Sequence, residues 1–265
     1  MTKTARGSSL HYRSGGPATG NPLLLIHGFP LSSAMWRPQI DAPPTGWRVI
    51  APDLRGFGNS PATAGPVSMD SMADDLAALL AELDISSVAV CGLSMGGYVA
   101  FALLRRHPAL VRALVLCDTK ADADTEDVRR GRLQSASRVE AEGTGSVVDA
   151  MLPKLLSPAT PRRQAALQEE VRGILESASQ AGVAAALKAM AVRPDSTPML
   201  RSINVPTQII VGADDQITPA GGAQLMVRGI PGARIEVIPE AGHLPNLENT
   251  AAFDRALAGF LAGVS

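Results

Sequence analysis

Six short apolar runs punctuate the chain, and longer segments of helical spacing lie between them. The runs cover residues 22–26, 47–51, 88–91, 114–117, 207–211 and 234–238. Most are apolar at consecutive positions, the pattern of parallel strands covered on both faces. The last alternates and predicts an edge strand. Leu10-His11-Tyr12-Arg13 has Ser/Gly-rich neighbours and predicts an antiparallel starting strand. Residues 70–83 place Met72, Leu76, Leu79, Leu80 and Leu83 on one helical stripe, with Ser68 or Asp70 as the N-cap. Residues 95–107 predict a second helix with Pro108 just beyond it. Residues 248–261 carry Phe253, Leu257, Phe260 and Leu261 on one face. Alternation of this kind predicts an α/β fold with a mostly parallel central sheet flanked by helices.

The alternation fails between residues 121 and 200. Only helix-period segments occur there, over 126–142, 147–156, 161–178 and 181–190. A helical cap inserted after the sixth strand is expected, packing over one sheet edge as a lid. It divides the chain into a core of residues 1–120 and 201–265 and a cap of residues 121–200. Asp118-Thr119 opens the insertion and Asn204-Val205-Pro206 closes it.

Composition narrows the function classes. Aromatics make up only 3% of the 265 residues, so small and branched aliphatics must fill the core. Arginine is common, while lysine occurs only at Lys3, Lys120, Lys154 and Lys188; with the abundance of alanine this suggests a GC-rich bacterial genome. A formal charge of -1 provides no field for nucleic acid or an anionic membrane. The arginines at 129, 130, 132, 162 and 163 are flanked by acidic residues and read as solvated helix faces. No apolar run reaches membrane-spanning length. Cys91 and Cys117 each end an apolar run, where a thiol behaves as a small hydrophobe, and no metal-binding spacing occurs. The N-terminal stretch Met1-Thr2-Lys3-Thr4-Ala5-Arg6-Gly7 has no apolar signal segment behind it, and a cytoplasmic enzyme is expected.

Gly92-Leu93-Ser94-Met95-Gly96 matches Gly-x-Ser-x-Gly, with an apolar strand before it and a helix after it. A serine on so sharp a turn adopts strained backbone angles and needs glycine beside it. Its hydroxyl then projects above the strand ends, at the positive end of a helix. A serine hydroxyl is a poor nucleophile until a base takes its proton. Of four histidines, His11 lies in a possible edge strand and His107 at a helix end. His27 reads as a brace for the loop it opens. His243, in Glu240-Ala241-Gly242-His243-Leu244-Pro245 after the last strand, fits the order nucleophile, acid, base. Gly212-Ala213-Asp214-Asp215-Gln216-Ile217-Thr218-Pro219 follows the strand 207–211 and offers two adjacent carboxylates for the acid, with chemistry alone favouring neither. Backbone N–H groups of Met95 and of Phe29, in His27-Gly28-Phe29-Pro30, are candidates for an oxyanion hole.

Together these residues resemble the α/β-hydrolase superfamily along nearly the whole chain. His27 to Pro30 is similar to its oxyanion loop, Asp53-Leu54-Arg55-Gly56-Phe57-Gly58-Asn59-Ser60 to a structural turn, Gly92 to Gly97 to its nucleophile elbow. Gly212 to Pro219 is similar to its acid loop and Gly242-His243 to its base loop. In that family the acid stands three residues before the threonine of the acid loop, so the resemblance selects Asp215, with Thr218 following. The small esterase and lactonase group that includes 3-oxoadipate enol-lactonases has the nearest look, prompted by residues 111–119 and the length of the insertion. Gln216 and Thr250 depart from the prolines often found there, and neither touches catalysis.

The implied function is hydrolysis of a small-molecule carboxylic ester or lactone by water, through an acyl-enzyme on Ser94. No cofactor or metal is required, and neither nucleic acid nor a membrane is an expected partner. A carbon–carbon bond hydrolase, thioesterase, amidase or cofactor-free perhydrolase would use the same triad. A ligand-binding protein of the same fold would have no need of the full set. A dehalogenase or epoxide hydrolase would resemble this chain but carry aspartate at position 94. Leu31, Trp36, Met151, Leu155 and Met190, with Phe29, Met95 and Leu152 beside them, are the expected pocket residues.

Overall fold

The computed structural model describes residues 2–4, 10–62, 65–218 and 220–264. Pro219 of the acid loop and residues 1 and 5–7 of the N-terminal stretch lie outside them. The eight strands are β1 (Thr2–Thr4), β2 (His11–Gly15), β3 (Asn21–Ile26), β4 (Trp47–Pro52), β5 (Val88–Leu93), β6 (Val111–Cys117), β7 (Thr207–Gly212) and β8 (Arg234–Ile238). They form one sheet in the order β1-β2-β4-β3-β5-β6-β7-β8. β3 through β8 are parallel, while β2 pairs antiparallel with β4 and β1 antiparallel with β2. The chain steps outward from β3 to β4, returns to β5 on the other side of β3, and then proceeds to β8. The order therefore reverses between β3 and β5, and ligands of open α/β sheets bind at the carboxyl ends of strands at such a point.

Alternating strand residues divide the core into two layers. Leu24, Ile26, Val90, Leu114, Leu116 and Ile209 face one side and pack with Leu76, Leu79 and Leu80 of α2 (Met69–Glu82), and with Val99 of α3 (Met95–Arg106). Leu23, Leu25, Cys91, Val115 and Ile210 face the other, against Trp36, Phe253 and Leu257. Phe253 and Leu257 belong to α11 (Thr250–Leu261), and α1 (Arg37–Asp41) follows Trp36. Both thiols are unpaired and buried, and burial pushes both up, with the Asp118 carboxyl adding to it. Ser68 caps α2 in a reciprocal capping box with Ser71.

Between β6 and β7 lie α4 (Glu126–Glu142), α5 (Gly145–Leu155), α6 (Thr160–Arg163), α7 (Ala165–Glu176) and α8 (Gln180–Ala191). The expected helix over 161–178 is two helices, broken at Gln164. The break turns that side chain to donate to the Glu248 carbonyl at 3.0 Å. Likewise the expected helix from 248 is preceded by the short α10 (Pro245–Glu248), because Asn249 caps α11 by accepting from the Ala252 N–H. α9 (Ala220–Gly229) carries no predicted counterpart; its first turn is glycine-rich, a poor helix signal. The three-residue β1 also escapes prediction, since polar Thr2-Lys3-Thr4 has no apolar pattern. Among the described residues no helix is long and apolar enough to cross a membrane.

Candidate active site

Ser94 directly follows β5 with φ 55° and ψ -116°, and α3 begins at the next residue. A side-chain-bearing residue at positive φ is strained, and it persists only where its surroundings hold it. Here the Ser94 N–H donates to the Cys117 carbonyl at 2.9 Å, and the Ser94 carbonyl accepts from the Gly97 N–H at 2.9 Å and from the Thr119 hydroxyl at 2.7 Å. The end of β6 thus fastens both sides of the turn. Gly96 is required by close approach: a Cβ there would fall onto the Ile26 carbonyl oxygen at the end of β3.

The loop after β3 lies against this turn. A Cβ on Gly28 would stand 3.2 Å from the Ser94 Cβ and 3.1 Å from the Leu93 side chain, so the loop backbone reaches the serine only because the residue is glycine. His27 is wholly buried and spans the base of the loop. Its Nε2 accepts from the Leu54 N–H at 3.0 Å, which places the ring proton on Nδ1, donating to the Gly28 carbonyl at 2.9 Å. Burial depresses its basicity, outweighing the Gly28 hydrogen bond and the Asp53 charge. Asp53 organises the following turn, accepting from the N–H groups of Ser33 and Asn59 at 2.8 and 3.0 Å and from His11 at 3.0 Å. Met95 N–H lies in the first turn of α3, where N–H groups have no intrahelical acceptor.

His243 is 1% exposed, in the loop after β8. Its Nδ1–H donates to the two Asp215 carboxylate oxygens at 3.0 and 2.9 Å. Its Nε2 is buried and has no hydrogen-bond partner among the described residues. Asp215, after β7, also accepts from the Ile217 N–H at 2.8 Å, the Thr218 N–H at 3.2 Å and the Thr218 hydroxyl at 2.5 Å. Burial alone would raise this carboxyl, but the His243 hydrogen bond and charge, with the Thr218 and Ile217 donors, outweigh it and hold it far below the usual carboxylate range. Asp214 points elsewhere, accepting from the Ser157 hydroxyl at 2.6 Å. The two adjacent aspartates are therefore separated by geometry.

A cavity of about 480 Å³ opens over Ser94. Phe29, Met151 and Met190 line it, with Tyr98, Arg132 and Ile217. Leu31, Trp36 and Leu155 do not: each is buried in the core layer that holds α11, and Leu152 joins them. Leu31 and Trp36 were expected to line it from their place beside the loop after β3, and Leu152 and Leu155 from theirs in the insertion, but all four side chains pack into the sheet-facing layer. Met95 is also fully buried, and its side chain is not among those lining the cavity. Depressions of about 700 and 850 Å³ lie along β8 and α11 and beside α8, and Ser94 lines neither.

Two side chains beyond the sequence-derived set stand at the same strand ends. Thr119 holds the Ser94 turn. Asp118, 2% exposed and at φ 42°, lies so that Asp118, Asp215 and His243 bring polar atoms within 4.8 Å of one another. A cation would fit there only by dismantling the hydrogen bonds just described. The available signal was positional: Asp118 follows a central parallel strand as Ser94 and the acid loop do, though its pair with Thr119 marked only the opening of the insertion.

A family model described as the alpha/beta hydrolase fold matches residues 21–250. 3-Oxoadipate enol-lactonase 2 of Acinetobacter baylyi is 28% identical over 97% of this chain and 94% of its own. Among solved structures, a thermophilic esterase from Thermogutta terrifontis, bound to malate, superposes with a TM-score of 0.93 at 40% identity, covering 100% of this chain and 98% of that one. The enol-lactonase of Burkholderia xenovorans gives a TM-score of 0.90 at 28% identity over 99% and 100% of the two chains. By family match, strand order and overall superposition, this chain belongs to the α/β-hydrolase family.

Proposed function

We propose that the protein is a serine hydrolase of small carboxylic esters or lactones, with Ser94 as nucleophile, His243 as base and Asp215 as the acid. One observation carries this reading. The Nδ1 side of His243 is pinned by Asp215 while its Nε2 stays buried and unpartnered. An imidazole so held has its basic lone pair free for a hydroxyl proton, and Ser94 is presented on a strained turn lining the cavity.

In this scheme His243 takes the Ser94 proton as the serine oxygen attacks the acyl carbon. The Phe29 and Met95 N–H groups stabilise the oxyanion. His243 then protonates the departing alkoxide, and water, activated by the same nitrogen, releases the acid. Asp215 steadies the imidazolium throughout. The steps need only the substrate and water. Residues 121–200 act as the cap over a core of residues 1–120 and 201–265, and Met151 and Met190 contact the acyl group. The named activities of the esterase and enol-lactonase relatives support the substrate class.

A panel of p-nitrophenyl esters of increasing acyl length and of lactones, with Ser94→Ala as control, tests this. Turnover on part of the panel with a loss of about a thousandfold or more in kcat for Ser94→Ala is expected. An equally active Ser94→Ala protein overturns it.

A further inference from the structure

Asp118 is a buried carboxyl group that the scheme above does not use. Its Oδ1 accepts from the Gly212 N–H at 2.8 Å, joining the ends of β6 and β7, and its Oδ2 lies 3.3 Å from the Cys117 thiol. The Asp215 carboxylate and the His243 ring stand within the same 4.8 Å cluster. The other titratable neighbours are the thiols of Cys117 and Cys91, both held neutral by burial.

Two carboxylates this close and this buried do not both ionise. The donors decide which one holds the charge. Asp215 has the imidazole N–H, two backbone N–H groups and a hydroxyl, whereas Asp118 has one backbone N–H and a thiol. Burial and the Asp215 charge accordingly push Asp118 well above the ordinary carboxylate range, against the Gly212 hydrogen bond.

Resting on the assignment of Asp215 and His243 above, we propose that Asp118 and Asp215 share one proton behind His243. The proton resides on Asp118, which positions and tempers the Asp215 carboxylate and can replace it opposite the imidazole. Asp118 is then a positioning residue. Its O–H lowers the charge density that Asp215 presents to His243, and so sets the pH at which the base becomes neutral. When Asp215 is removed, its repulsion is lifted and the imidazolium is left without a counter-charge, so burial alone still opposes ionisation of Asp118. Asp118 can then ionise and orient the ring.

Infrared spectra at neutral pH test the proton directly. The C=O stretch of one protonated carboxylic acid is expected in the wild type and lost in Asp118→Asn. An unchanged spectrum means an ionised Asp118 and overturns the proposal. This readout does not depend on turnover, so its failure is distinguishable from a failure of the serine-hydrolase reading, which the Ser94→Ala control detects. In pH profiles of kcat/KM, Asp118→Ala moves the acid limb to higher pH, and Asp118→Asn, which keeps an N–H donor, restores it. A merely structural stitch between β6 and β7 leaves the limb in place, and that result counts against the proposal. Asp215→Ala should retain at least about tenfold more activity than Asp118→Asn/Asp215→Ala, with thermal melts showing both folded. Equal activities in the two folded variants overturn the replacement role.

Discussion

The Thr119 hydroxyl donates to the Ser94 carbonyl at 2.7 Å, tying the turn that presents the serine to the loop leaving β6. This bond opposes relaxation of a backbone at positive φ. Thr119→Val keeps the shape and removes the donor, at a cost of about 0.5–1.5 kcal/mol in stability. The larger effect is expected on kcat, because the serine oxygen loses its fixed position while the cavity keeps its lining. Paired denaturation curves and steady-state kinetics on one ester check this split; a change in KM alone contradicts it.

Gly28→Ala addresses the other side of the same turn. The added methyl would press on Ser94 and Leu93 at 3.2 and 3.1 Å, contacts tight enough that a neighbour must give. A shift of Ser94 or of the Phe29 N–H by a fraction of an ångström is expected to lower kcat by about tenfold or more. The melting temperature should move little. Loss of folding with no soluble protein would show that the loop has no room to yield.

Glu248 links the loop after β8 to the segment that follows α5 and to the first residue of α6. One carboxylate oxygen accepts from the Gly242 N–H at 2.7 Å, and the other from the Ser157 N–H at 2.7 Å and the Thr160 hydroxyl at 2.6 Å. Burial raises this carboxyl despite those donors. Glu248→Gln places an N–H₂ against a backbone donor on one side, so about 1–3 kcal/mol of stability should be lost. Activity should fall with it, since Gly242 precedes His243. Calorimetry together with kcat on the same preparation measures both, and unchanged values would show that the loop stands without this tie.

Acid stability follows from Asp215. Its folded carboxyl lies below the ordinary value of 3.8. Its contribution is therefore present above that value and is lost as pH falls through the folded one. Wild type should lose stability on acidification below about pH 4 more steeply than Asp215→Asn. Asp118 and Glu248 have the opposite sign: both are raised, so what they contribute is present at low pH and is lost as pH rises through their folded values. Denaturant melts across an acidic pH series separate the two senses, and parallel curves for wild type and Asp215→Asn would contradict the first.

Much of this was legible in the pattern of residues, for physical reasons. The strands β3 to β7 are buried on both faces and so appear as continuous apolar runs. The alternating β8 lies at the sheet edge, as its pattern predicts. The Ser94 turn was legible because a strand and a helix can meet at that angle only with small neighbours. The choice between Asp214 and Asp215 was not, since adjacent carboxylates differ only in where the folded loop points them. Asp118 was hidden for a similar reason: its closeness to Asp215 arises from β6 and β7 being neighbours, although about ninety residues separate them. Leu31, Trp36 and Leu155 show the limit for pockets, because an apolar side chain beside the loop after β3 or in the insertion looks the same in sequence whether it faces the cavity or the core.

The central claim is that Ser94 is the nucleophile. Treatment with a fluorophosphonate, followed by intact-mass measurement and peptide mapping, tests it most directly. One adduct per chain on the peptide containing Ser94, absent from Ser94→Ala and slowed in a folded His243→Ala, is the predicted result. An unlabelled wild type, or an adduct that persists in Ser94→Ala, would contradict it.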